Sequence, residues 1–171
     1  MDMEAVIEYG GLGFCLTDQS DDLSQWRGYA SDGAGFMIGF DPQYFRNLVD
    51  RQRSNRLKAL RFERVEYDEK QHLEMVRKVY EVMKAAFEKP NGIGISVAER
   101  LKLESLNMLT SRYLMKPRAF SAESESRLFT FVGEVMEKDC DFMVRRNELV
   151  PFRPVELSNH APSPICKVIL G

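Results

Sequence analysis

The chain has 171 residues, 44% of them hydrophobic and 29% charged, and its 24 basic and 26 acidic side chains leave a formal charge of −2. Such a balance supplies neither the basic footprint of a nucleic-acid binder nor a polybasic membrane anchor, and no apolar run approaches the roughly 18 residues that span a bilayer. A single domain, 1–171, is expected, with a core that needs no disulfide or metal staple.

"MDMEAVIEYGG" is acidic and lacks the charged and apolar regions of a secretory signal. The three cysteines, Cys15, Cys140 and Cys166, are odd in number and far apart. They are expected to pack as small hydrophobes in a reducing, cytoplasmic setting.

"GFCLTD" predicts a strand at 13–17, followed by a short helix capped by Ser20, with Asp21 and Asp22 in its first turn. Leu23, Trp26 and Ala30 would form its apolar face. "SDGAG" ends it, and "FMIGF" reads as a buried strand. Asp41-Pro42 is an N-cap followed by proline at the first helical position, which predicts a second short helix at 42–51 burying Tyr44, Phe45, Leu48 and Val49. "LRFERVEYD" alternates as a strand does.

Asp68 with Gln71 resembles a capping box opening a long helix, on which Leu73, Val76, Tyr80, Met83 and Phe87 would face the core. "KPNGIG" breaks it, and Ser96 with Glu99 opens another helix that runs to Leu114. The two would form a hairpin. After Pro117, "SRLFTFVGEV", "DFMVRR", "LVPFRPVEL" and "CKVIL" read as strands. The fold class expected is α+β: a mostly antiparallel sheet, a long helical hairpin and two short helices. The closing strand needs a neighbour along its edge, which makes a homo-oligomer one of the expected arrangements.

Little of this carries recognisable chemistry. The two histidines, His72 and His160, have no metal-ligand spacing, so no metal site is expected. No nucleophile elbow is present. "GGLG" and "DGAG" precede strands, whereas a phosphate loop must lead into a helix N-terminus, so both read as turns.

Two stretches remain. In "DDLSQWRGYASDGAGFMIGFD", Trp26 reads as a packing anchor. Arg27, with its fork of donors, would hold an internal carboxylate or an anionic ligand, and Tyr29 lies beside it. In "FSAESESRLF", a strand that begins early would point Glu123, Glu125 and Arg127 the same way. Neighbouring carboxylates raise one another's pKa and an arginine lowers it, an arrangement suited to acid–base work or to holding a ribose hydroxyl. The plainer reading is a charge ladder on an edge strand.

Both stretches together resemble a bacterial family labelled domain of unknown function 2971. The resemblance rests on Cys15-Leu16-Thr17, on the runs Leu23 to Ala30 and Gly35 to Asp41, on "RVEYDEKQ", and on Phe120, Glu123, Glu125 and Arg127 as a Phe-x-x-Glu-x-Glu-x-Arg element. The tail from Leu149 is similar to the family's closing strands. Many members carry histidines where this sequence has Gly28 and Gly33, and most begin with an additional Asn-Asp-Pro segment, so a short version or a fragment is expected. The resemblance implies a cytoplasmic bacterial protein and assigns no activity.

Two functions follow as expectations. One is a module binding a small anionic or nucleotide-like ligand through Trp26, Arg27, Tyr29 and Arg127, without a cofactor and without nucleic acid or membrane as partner. The other is a toxin or defence enzyme using NAD, in the manner of an ADP-ribosyltransferase, with Glu125 as catalytic carboxylate and Glu123 assisting. A non-catalytic interaction domain is the third reading.

Overall fold

The computed structural model describes residues 10–30, 33–51, 60–88, 97–132, 140–157 and 163–171. It combines helices with antiparallel strand pairs, so the fold is α+β. Two compact units are present, one made of Tyr9–Glu63 with Glu123–Gly171, the other containing Arg64–Ala122.

The first unit is built around β4 (Glu125–Val132), the middle strand of a three-stranded sheet. On one side β1 (Gly10–Thr17) pairs with it antiparallel, in register from Gly10↔Val132 to Thr17↔Glu125. On the other lies β3 (Arg61–Arg64). A middle strand buried on both faces needs no polar alternation, and β4 accordingly buries Leu128 on one face and Phe129 and Phe131 on the other.

Leu128 shares a core with Leu60 and with Phe45 of α2 (Pro42–Arg51). Asp41 starts that helix as predicted, its carboxylate accepting from the Gln43 N–H at 2.9 Å. The rings of Phe14, Phe40, Phe45 and Phe62 follow one another at centroid distances of 5.9, 5.6 and 5.3 Å. They join β1, β2 (Phe36–Phe40), α2 and β3. Burying a phenylalanine as fully as Phe45 contributes about 1.5–3 kcal/mol.

Instead of one sheet, the described residues form three. β2 pairs with β7 (Ile165–Leu170), which gives the closing strand its neighbour within the chain. β5 (Asp141–Arg145) and β6 (Glu148–Phe152) make a hairpin whose two turn residues, Arg146 and Asn147, both have positive φ, 51° and 66°. "FMIGF" is not the buried strand expected. A two-stranded ribbon gives β2 a single neighbour, and Phe36 and Ile38 are exposed on one face together with their partners Leu170 and Val168. Cys140 is buried, but Cys15 and Cys166 are exposed, against the expectation for all three.

In the second unit α3 (Glu69–Glu88) and α4 (Val97–Leu114) pack on each other. The expected break at "KPNGIG" and the cap at Ser96 lie outside the described residues. Asp68 caps α3, accepting from the N–H groups of Lys70 and Gln71 at 2.7 and 3.3 Å. Those two bonds, in that order, hold its carboxyl below the ordinary range. Glu66 forms a parallel bridge with Met115, and His72 Nε2 lies 2.7 Å from the Glu66 carbonyl. A carbonyl only accepts, so that ring nitrogen carries the proton.

Of the apolar stripe predicted to face the core, only Met83 is sheltered. Leu73, Val76, Tyr80 and Phe87 are 71, 43, 60 and 59% exposed. The sheltered face is His72, Met75, Val79 and Met83, about 100° around the helix from the expected one.

Candidate functional site

The site region is the end of the β1/β4 ladder where Thr17 faces Glu125. Thr17 Oγ1 donates to the Glu123 carbonyl at 2.7 Å and accepts from the Gln19 N–H at 3.0 Å. The Asp18 N–H donates to the Ser124 carbonyl at 3.1 Å, and the Gln19 amide to Ser124 Oγ at 3.2 Å. Residues 18 and 19 are thereby tied to the residue just ahead of β4. Ser124 itself has φ 42°, in the left-handed region that serine rarely enters.

That kink decides the geometry of the Glu-x-Glu-x-Arg element. Residues Arg118–Glu123 form a 3-10 helix, and the strand begins only at Glu125. Glu123 is therefore not aligned with Glu125 and Arg127, which corrects the expected period-two triplet. Nor is β4 an edge strand carrying a surface ladder. Glu125 is 6% exposed, and Arg127 grips it with two parallel bonds, Nε to Oε1 at 2.8 Å and Nη2 to Oε2 at 3.1 Å. A fork closed on a buried carboxylate is a structural ion pair, because opening it would strand two charges away from water.

Beyond residue 20 the chain turns into α1 (Leu23–Tyr29). Its cap is Asp22, not Ser20. The Asp22 carboxylate accepts from the Ser24 hydroxyl and, at 2.8 Å, from the Ser24 N–H. Those bonds hold its carboxyl below the ordinary range, the hydroxyl contributing most and the amide next. Asp21, at φ 65°, is the less expected participant. Its carboxylate accepts from Trp26 Nε1 at 2.8 Å, so the buried indole has its polar edge satisfied.

That indole also lies against Gly171. A Cβ at position 171 would come within 3.1 Å of a ring carbon and 2.1 Å of the Gly33 carbonyl, so only glycine fits there without movement. The Gly171 N–H donates to the Gly35 carbonyl at 3.1 Å. Trp26 is thus the packing anchor that its sequence context suggested.

Its neighbours behave differently. Tyr29 is 81% exposed, and Leu23, expected on the apolar face, is exposed as well. Arg27 is exposed and makes no ion pair among the described residues, which corrects its reading as an internal salt-bridge partner. Positions two apart on a helix diverge by about 200°, so Arg27 and Tyr29 leave α1 on either side of the anchored indole. Of the residues singled out from sequence, Trp26, Glu125 and Arg127 are internal, while Arg27 and Tyr29 face solvent. Thr17, Asp21, Asp22 and Ser124 were missed as participants. Only the clustered Asp and Ser around position 22, cap-forming residue types, hinted at them.

Among the described residues no group of histidine, cysteine and carboxylate side chains could hold a metal ion, and no helix is long and apolar enough to cross a membrane.

The molecule is thus an α+β protein with a middle strand stapled by an internal ion pair and a short helix anchored through Trp26 to Asp21 and Gly171. The chain belongs to the family described as "Protein of unknown function (DUF2971)", whose pattern matches residues 25–128. That match begins one residue before Trp26 and ends one residue after Arg127, so it takes in the site residues of both stretches but not Cys15-Leu16-Thr17 or the tail from Leu149. No curated protein and no solved structure matches the chain.

Proposed function

We propose that this protein is a binding module without turnover, cytoplasmic and bacterial, whose ligand is a small anion of nucleotide-like shape taken up on α1. The observation that carries the reading is the exposed Arg27 guanidinium on a helix whose own anchor, Trp26, is buried and hydrogen-bonded. A helix pinned from beneath presents its outward side chains with little ordering cost, which favours binding. Arg27 supplies paired donors to an anionic group. Tyr29 supplies an aromatic face on the other side of α1. A ligand that engages both must wrap the last turn, which suits a nucleotide and not inorganic phosphate.

The NAD-dependent transferase reading needs Glu125 to offer its carboxylate to a ribose. Both oxygens instead accept from Arg127, so the geometry favours binding over that chemistry.

A thermal-shift panel of nucleotides, sugar phosphates, short oligonucleotides and inorganic phosphate tests the proposal. At least one nucleotide or sugar phosphate should raise the melting temperature, with inorganic phosphate much weaker. A panel with no stabilising member would count against it, and loss of NAD on incubation with the protein would favour the transferase.

A further inference from the structure

The exposed stripe on α3 has a repeat of its own. Leu73, Val76, Tyr80, Met83 and Phe87 follow in steps of three, four, three and four, the spacing of a coiled-coil seam. All but the half-buried Met83 are exposed, although contiguous apolar surface of this kind normally seeks a cover. Along the flank next to Leu73, Tyr80 and Phe87, a cation recurs every seven residues: Lys70, Arg77 and Lys84, all exposed.

We propose that this seam docks an amphipathic helix of a partner protein, one whose own apolar stripe is bordered by acidic residues. The stripe sets the helical shape of the partner, and the cation row sets its charge. A second copy of this chain does not fit. Two α3 helices packed antiparallel would set Lys70, Arg77 and Lys84 against the same row of the other copy. Packed parallel, that row would meet His72 and Val79, which offer no carboxylate. Each cation has a glutamate four residues on, Glu74, Glu81 and Glu88, but of these pairs among the described residues only Lys84–Glu88 closes, at 3.9 Å with both side chains at least half exposed, and such pairs are weak.

The test uses the full chain and two synthetic three-heptad peptides with leucine at the seam positions, one bordered by glutamate and the other by lysine, each titrated by calorimetry. The glutamate peptide should bind roughly tenfold tighter than the lysine peptide, as three charge pairs imply. Leu73→Glu with Tyr80→Glu should abolish binding while the melting temperature holds, because both positions are exposed. Arg77→Glu with Lys84→Glu should reverse the preference between the peptides. Equal binding of both peptides, or binding of neither, overturns the proposal. So does sedimentation showing a dimer of the chain that Tyr80→Glu dissolves. The seam lies outside α1, so failure here leaves the nucleotide reading standing, and the converse holds.

Discussion

Arg127 and Arg27 carry the same side chain into opposite circumstances. Arg127 stands on the middle strand of a sheet, its fork closed on Glu125 and little of it reaching water. Arg27 stands on a seven-residue helix, exposed, above an indole that takes the burial for both. A guanidinium consumed by an internal carboxylate holds the fold together. One left in solvent on an anchored helix has donors to offer. The difference separates a guanidinium that stabilises the fold from one that is placed to recognise something.

The largest effect expected from this contrast is on stability. Arg127→Ala should cost about 3–5 kcal/mol in urea unfolding, because Glu125 would be left charged and buried. Arg27→Ala should stay within about 0.5 kcal/mol of wild type. Replacing Glu125 and Arg127 together by leucine and methionine should recover most of the loss. A mild Arg127→Ala would break the comparison.

A smaller effect is expected at the anchor. Asp21→Ala removes the acceptor of the indole N–H and places alanine at φ 65°, which should cost about 1–3 kcal/mol. Asp21→Asn keeps an acceptor and tolerates the left-handed backbone, so it should unfold close to wild type. Trp26 is the chain's one tryptophan, so its fluorescence reports this corner alone.

The smallest effect is on pH dependence. The folded-state pKa of Asp22 is depressed by its bonds to Ser24, so its contribution is present above the unfolded value of about 3.9 and fades as pH falls through the lower folded value. Stability of Asp22→Asn measured against pH should therefore lose part of its acid-side slope and match wild type in shape above about pH 5.

Much of the scaffold is legible in the sequence where a local signal and the tertiary structure agree. Asp41-Pro42 starts α2, Asp68 starts α3, and the unbroken apolar run of β4 goes to the middle of a sheet. Trp26 is buried as its size predicts. Other readings failed for identifiable reasons. α3 carries two apolar stripes side by side, and periodicity does not say which one the fold will shelter. Asp21, Asp22 and Ser20 are all cap-forming residues, so sequence alone does not choose among them. The left-handed Ser124, which detaches Glu123 from the strand, depends on hydrogen bonds from residues 18 and 19, more than a hundred positions away. The closure of Arg127 on Glu125 goes with the burial of both side chains inside the fold, and an isolated strand reading contains no such information.

The direct test of the central claim, that Arg27 is open for recognition and Arg127 is not, is calorimetric titration of a nucleotide into the wild-type chain and into Arg27→Ala. Binding to wild type, weakened roughly ten- to a hundredfold by the substitution at unchanged melting temperature, is the expected result for a lost charge-assisted contact. Equal affinity of the two proteins for the same nucleotide would contradict it.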